Sequence, residues 1–249
     1  MTPDALLLSL GLLVVAFLYA SVGHGGASGY LAVMALAGIA PAAMKPSALV
    51  LNLVVAGIGS VQFARAGHFH WRTFWPFALG SIPLAFLGGA LHLPPGPYKA
   101  LVGAILVFSA LRLLFTASSA AESGAPLERD PPLALALPLG AVLGFVAGLT
   151  GVGGGIFLSP LLLLTGWARA RRTAAVSAVF IFVNSLSGLL GHVASVAAIP
   201  GSVVLWAPVV ALGGVLGARL GSRRLPDVSI RRLLAVVLVL AGAKLVLGG

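Results

Sequence analysis

The sequence predicts an all-α polytopic membrane protein made of two five-segment repeats. Three observations predict it. First, 59% of the 249 residues are hydrophobic and only 8% are charged, against roughly 25% charged in a soluble domain. So few charges cannot cover a water-facing surface. Second, apolar runs recur along the chain at 5–22, 27–40, 46–64, 73–91, 98–116, 132–149, 154–167, 173–191, 201–220 and 230–247. Most approach the roughly 20 residues that a helix needs to span a bilayer. Third, the second half repeats landmarks of the first in the same order.

The first run lacks a basic leader, since Asp4 is the only charge before Lys45; it reads as a retained helix rather than a signal peptide. The second and seventh runs are short for a crossing, and both follow glycine clusters. The polar stretch TASSAAESGAPLERDPP (116–132) divides the chain. A single transmembrane domain (1–249) is therefore expected, with one repeat over 5–116, a linker over 117–131 and a second repeat over 132–247. A shift of 132 carries Asn52 to Asn184, Gly59 to Gly191, Pro76 to Pro208 and Pro94 to Pro226. Near the glycine clusters the shift is 129, carrying Gly25-Gly26 to Gly154-Gly155 and Gly11 to Gly140.

Charge sets the expected sidedness. If all ten segments cross, the 15 basic residues divide twelve to three. Arg65, Arg72, Arg112, Arg129, Arg169, Arg171, Arg172, Arg219, Arg223, Arg224, Arg231 and Arg232 fall on one side, and Lys45, Lys99 and Lys244 on the other. If segments 2 and 7 are re-entrant, the division is ten to five. Positive residues concentrate in cytoplasmic loops, so ten crossings fit better. Both termini are then periplasmic, in the inner membrane of a bacterium. An odd number of crossings per repeat makes the repeats inverted, a common plan of secondary transporters.

Composition also excludes. With no cysteine there is no disulfide framework and no thiolate metal site. The net charge of +10 is scattered in short groups between apolar runs, as orientation signals are, so nucleic acid is not an expected partner. No cofactor is expected. Asp4, Glu122, Glu128, Asp130 and Asp227 all fall at ends or in loops. Cation pathways place carboxylates inside the membrane; this chain offers donors without acids, which suits an anionic cargo. Any proton coupling would use histidine or the substrate's own titration. A homo-oligomer is compatible with the sequence.

The candidate site is the pair of glycine clusters, Gly23-His24-Gly25-Gly26 and Gly151-Val152-Gly153-Gly154-Gly155. Glycine tolerates positive φ and close approach to the backbone. Successive N–H groups in such turns make concave anion sites, and a helix N-terminus adds unpaired donors. Matched glycine-interrupted short segments are the best sequence pointer to a transport site. The plain alternative is that these glycines merely let helices pack closely. Asn52 and Asn184 lie inside apolar runs and need partners there; either could donate to an oxyanion. His24 could donate a hydrogen bond or carry a proton, and His192 could face a cavity. Lys45 is expected to snorkel to the interface, and His68 and His70 to join Trp71 and Trp75 in an interfacial belt.

The motifs GFVAGLTGVGGGIFLSPLLL (144–163) and TAAVSAVFIFVNSLSGLLGH (173–192) resemble those of the TauE/SafE sulfite exporter family, the TSUP permeases formerly called DUF81. Their first-half counterparts, YASVGHGGASGYLAVMAL (19–36) and KPSALVLNLVVAGIGSV (45–61), resemble its N-terminal repeat, with His24 interrupting the glycines. The resemblance implies a secondary carrier of sulfite, thiosulfate, sulfoacetate or related organosulfonates. Two rivals remain. GASG (26–29) matches the G-x-S-G of rhomboid intramembrane proteases, with Ser28 as nucleophile and His192 as base. An anion channel would share the fold.

Overall fold

The computed structural model describes residues 3–119, 129–196 and 199–223. The linker's centre and the expected tenth segment lie outside them. The described residues form nine helices: α1 (Pro3–Ala20), α2 (Ala27–Leu36), α3 (Pro41–Arg65), α4 (Trp71–Ala90), α5 (Pro95–Ser119), α6 (Leu133–Thr150), α7 (Gly155–Leu164), α8 (Ala170–Val196) and α9 (Val203–Arg223). Five helical stretches, in α3, α4, α6, α8 and α9, are long and apolar enough to cross a membrane. The chain is a multi-pass membrane protein. Their large exposed residues are apolar, for example Leu79 and Leu87 on α4, Leu135 and Val142 on α6, and Leu205 and Leu212 on α9. Lipid tails solvate such a surface; water does not.

The short segments are shorter than expected. α2 and α7 have 10 residues each, about 15 Å at 1.5 Å per residue, half the hydrocarbon thickness. Glycines bound them. Gly26 and Gly154, the N-caps of α2 and α7, have φ of 99° and 79°. Past their C-caps come Gly38 and Gly166, again at positive φ. A residue with a Cβ is strained in that conformation.

Contacts at glycines fix helix direction. A Cβ at Gly29 would meet Val15 and Tyr19, and one at Gly11 would meet Val33, so α2 folds back antiparallel on α1. α4 runs parallel to α6, with Gly80 against Leu137 and Gly88 against Phe145. α1 runs parallel to α9, with Gly213 against Leu13 and Gly221 against Ser21. α3 and α8 are antiparallel: Gly57 faces Phe182, Gly59 faces Ala178 and Gly188 faces Leu49. At most of these crossings backbone meets backbone, the close approach that small residues permit in membranes.

The principal packing pairs are α4 with α6 and α8, α1 with α9, and α3 with α8 and α9. Exchanging α1 with α6, α2 with α7, α3 with α8 and α4 with α9 maps this set onto itself. Helix directions also put Arg65, Arg72, Arg169, Arg171, Arg172 and Arg219 toward one end of the bundle and Lys45 toward the other. At the arginine end Asp130 joins His70 and Arg72 at 3.8 and 3.9 Å.

Lys45 departs from expectation. It does not snorkel: it is buried, and its Nζ donates to the carbonyls of Gly88, Gly89 and Leu91 at 3.3, 2.7 and 2.9 Å. The last carbonyls of a helix lack intrahelical partners and carry partial negative charge. α4 ends directly over α3, so the ammonium is satisfied inside the bundle.

Candidate functional site

Each glycine cluster is an extended break between two helices. The first runs from Ser21 to Gly26 and the second from Gly151 to Gly154. Their φ values set the register. Gly23 and Gly26 are at 75° and 99°; Gly151 and Gly154 are at 84° and 79°. Gly23 thus corresponds to Gly151, and Gly26 to Gly154, a shift of 128 rather than the expected 129. The counterpart of His24 is then Val152, not a glycine. Gly155 is already the first residue of α7.

The breaks enter from opposite ends and meet. Gly23 abuts the backbone of Ala174 near the start of α8, whereas Gly25 abuts Ile181, two turns further along. Gly151 lies against the backbone of Lys45 near the start of α3, and Gly153 against Asn52, again two turns on. Each break therefore leans on a helix of the other half of the chain. At the antiparallel crossing of α3 and α8 they share neighbours. A Cβ at Gly25 would fall on Asn52 Oδ1 and Ile181 Cγ2; one at Gly153 would lie 2.6 Å from Asn52 Nδ2, 2.9 Å from Ile181 Cγ2 and 3.1 Å from Ser185 Oγ.

Asn52 is fully buried between the breaks. Its Nδ2 donates to Val152 O at 3.3 Å, and its Oδ1 has no hydrogen-bond partner. Ser185 Oγ likewise lacks a partner. Among the described residues, no backbone carbonyl accepts from the N–H groups of Gly25, Gly26, Gly153 or Gly154. Buried polar groups left unpaired are rare and costly. Asn52 Oδ1 and Ser185 Oγ, both beside Gly153, mark a polar point within an apolar bundle where the two breaks touch.

His24 ties the first break to α7. Its Nδ1 lies 3.1 Å from Val22 O, and its Nε2 lies 3.0 Å from Ser159 Oγ on α7. Ser159 Oγ also reaches Gly155 O at 2.9 Å and Ser177 Oγ at 2.8 Å. Ser159, Ser177 and Ser185 went unnoticed in the sequence, where isolated serines on apolar helices carry no signal.

Asn184, next to Ser185, is buried; its Nδ2 donates at 2.8 Å to Phe180 O in its own helix, and its Oδ1, like that of Asn52, has no hydrogen-bond partner. His192 stands eleven residues past Ile181, about 16 Å along α8, with its ring 5.7 Å from that of His92. Ser28 Oγ donates to the Tyr19 hydroxyl at 3.0 Å.

The family described as Sulfite exporter TauE/SafE matches residues 7–245. A "Probable membrane transporter protein y4hK" of Sinorhizobium fredii (strain NBRC 101917 / NGR234) is 44% identical over 245 residues, covering 98% of this chain and 99% of that protein. "Probable membrane transporter protein YjnA" of Bacillus subtilis (strain 168) is 27% identical over 251 residues, covering 94% and 96%. "Probable membrane transporter protein YunE" of the same organism is 28% identical over 136 residues, covering 51% and 46%. No solved structure matches the chain. A match along nearly the whole length, over a bundle with paired glycine breaks, shows that the chain belongs to the TauE/SafE sulfite exporter family.

Proposed function

We propose that the protein is a secondary transporter of small sulfur-containing anions such as sulfite, thiosulfate or sulfoacetate, working by alternating access. The single domain comprises two inverted repeats, 5–116 and 132–247, on either side of a linker. The anion binds where the breaks meet. The N–H groups of Gly25, Gly26, Gly153 and Gly154 donate to its oxygens, with the short helices α2 and α7 turning their positive ends inward. Asn52 orients it, and Ser185 is added to the expected set. Gly23 and Gly151 shape the entry of each break, and Gly155 lets α7 begin against Ile181.

The observation that carries this reading is that one buried asparagine touches both breaks. Packing alone accounts for glycines such as Gly80 or Gly144, whose absent Cβ atoms would strike neighbouring backbone. It does not account for two unwound stretches, entering from opposite ends, whose N–H groups at Gly25 and Gly153 give no hydrogen bond to a backbone carbonyl where they meet. The exchange symmetry of the packing supports the inverted repeat. Rocking of one half against the other would open the centre to alternate sides. The arginine end is cytoplasmic by the distribution of positive charge, which puts the termini in the periplasm of a bacterial inner-membrane protein. The relatives' names, probable membrane transporters, support a carrier.

Proteoliposome uptake of sulfite, thiosulfate, sulfate, sulfoacetate and chloride, with and without a pH gradient, tests the proposal. Saturable uptake and counterflow of at least one sulfur anion are expected. Chloride flux alone, or non-saturating flux, would overturn the carrier.

A further inference from the structure

We infer that His24 binds a co-transported proton, and that its protonation is passed to the second break through Ser159. For its anion the inference rests on the transport reading above.

Hydrogen-bond counting leads to it. Nδ1 faces the Val22 carbonyl at 3.1 Å, which can only accept, so Nδ1 carries hydrogen in either charge state. Nε2 faces Ser159 Oγ at 3.0 Å. Ser159 has one hydrogen and three neighbours: Nε2, Gly155 O at 2.9 Å and Ser177 Oγ at 2.8 Å. When the ring is neutral with its hydrogen on Nδ1, Nε2 is a lone pair within reach of the Ser159 hydroxyl, which can turn to it. Gly155 O then receives nothing from that hydroxyl.

A proton arriving from water changes this. It forms the Nε2–H bond, Nε2–H donates to Ser159 Oγ, and the Ser159 hydrogen rotates onto Gly155 O while Ser177 donates to Ser159. No other covalent bond forms or breaks, and one positive charge is added between the breaks. Protonation thus gains a hydrogen bond on the first turn of α7 and places a cation beside the proposed anion. By linkage, the anion and the proton strengthen each other's binding by one factor.

The surroundings permit this. From α1, the Tyr19 ring stands edge-on with its centroid 6.5 Å away, its hydroxyl taken by Ser28. α7 supplies Ser159 and α8 supplies Ser177. Arg172 lies two residues before Ala174, which abuts Gly23. Lys45 is turned away to the carbonyls of α4. Asp130 is engaged with His70 and Arg72. The second break has Val152 at the corresponding position, so only one break can titrate in this way.

The test is 15N NMR of ring-labelled histidine in the full chain in nanodiscs. The His24 signals are assigned by their loss in His24→Gln or, should that variant not fold, by their shift in Ser159→Ala. The neutral form is expected to be the Nδ1–H tautomer and to become imidazolium between about pH 5 and 8. Saturating thiosulfate or sulfite should raise the midpoint by about one pH unit, a tenfold coupling. A ring that does not titrate in that range, an Nε2–H neutral tautomer, or a midpoint that no anion moves would overturn the inference. A midpoint raised by chloride and by neither sulfur anion would keep the proton site and overturn the substrate class.

Discussion

The two breaks share a backbone plan and differ in chemistry. Both carry left-handed glycines three residues apart, Gly23 and Gly26 in one and Gly151 and Gly154 in the other, both lean on the opposite half, and both reach Asn52. The first carries His24, whereas the second carries Val152. The second has Lys45 behind its opening glycine, whereas the first has Ala174 there. Gly153 is at φ 78°, while its counterpart Gly25 is not in the left-handed region. The geometry that exposes backbone donors is held in common, and ionisable groups are set on one side at a time. A shared binding centre needs the former on both sides; a coupled transport cycle can use a group that occurs once.

The largest expected effect separates the two glycines at the centre. Gly153→Ala incurs left-handed strain of roughly 1–2 kcal/mol plus crowding of Asn52 and Ile181, whereas Gly25→Ala incurs the crowding alone. Thermal unfolding in detergent should therefore show the greater loss for Gly153→Ala. Equal losses would mean that the breaks are closer to equivalence than their φ values indicate. Next come the paired asparagines. Asn52→Leu should weaken thiosulfate binding by about tenfold, the scale of one or two lost hydrogen bonds. Asn184→Leu, which removes only a bond within α8, should change it by less than about threefold. Isothermal titration of both variants would expose any hidden symmetry. The smallest effect is at Ser28→Ala, which loses one bond to Tyr19, about 1 kcal/mol, and should keep its uptake. Abolished function with a preserved fold would revive the serine nucleophile.

Much of this was legible in the sequence because membranes restrict the choices. Apolar run length marks helices, and glycine clusters beside short runs mark breaks, since unwound backbone in a bilayer must be sheltered by protein. Asn52 stood out for the same reason. What sequence could not supply was the partner of each exposed group. Ser159 lies 135 residues from His24, and only the fold brings them together. The break register slipped by one residue because adjacent glycines align equally well in two ways; φ values, not residue types, decide between them. A lysine near a helix end ordinarily finds water, and nothing local reveals that the end of α4 covers Lys45. Asn184 matches Asn52 by position, but its donor bonds its own helix where that of Asn52 bonds the second break.

The interlacing of the halves bears on how the chain is made. Break 1 is covered by α8 and α1 by α9, and these helices are synthesised after the first half is complete. As the first half leaves the ribosome, its unwound glycines have no proteinaceous cover, and lipid cannot supply one. Biogenesis must hold that half in reserve until the second arrives. A gene cut at the linker would work only when both fragments are made in the same cell.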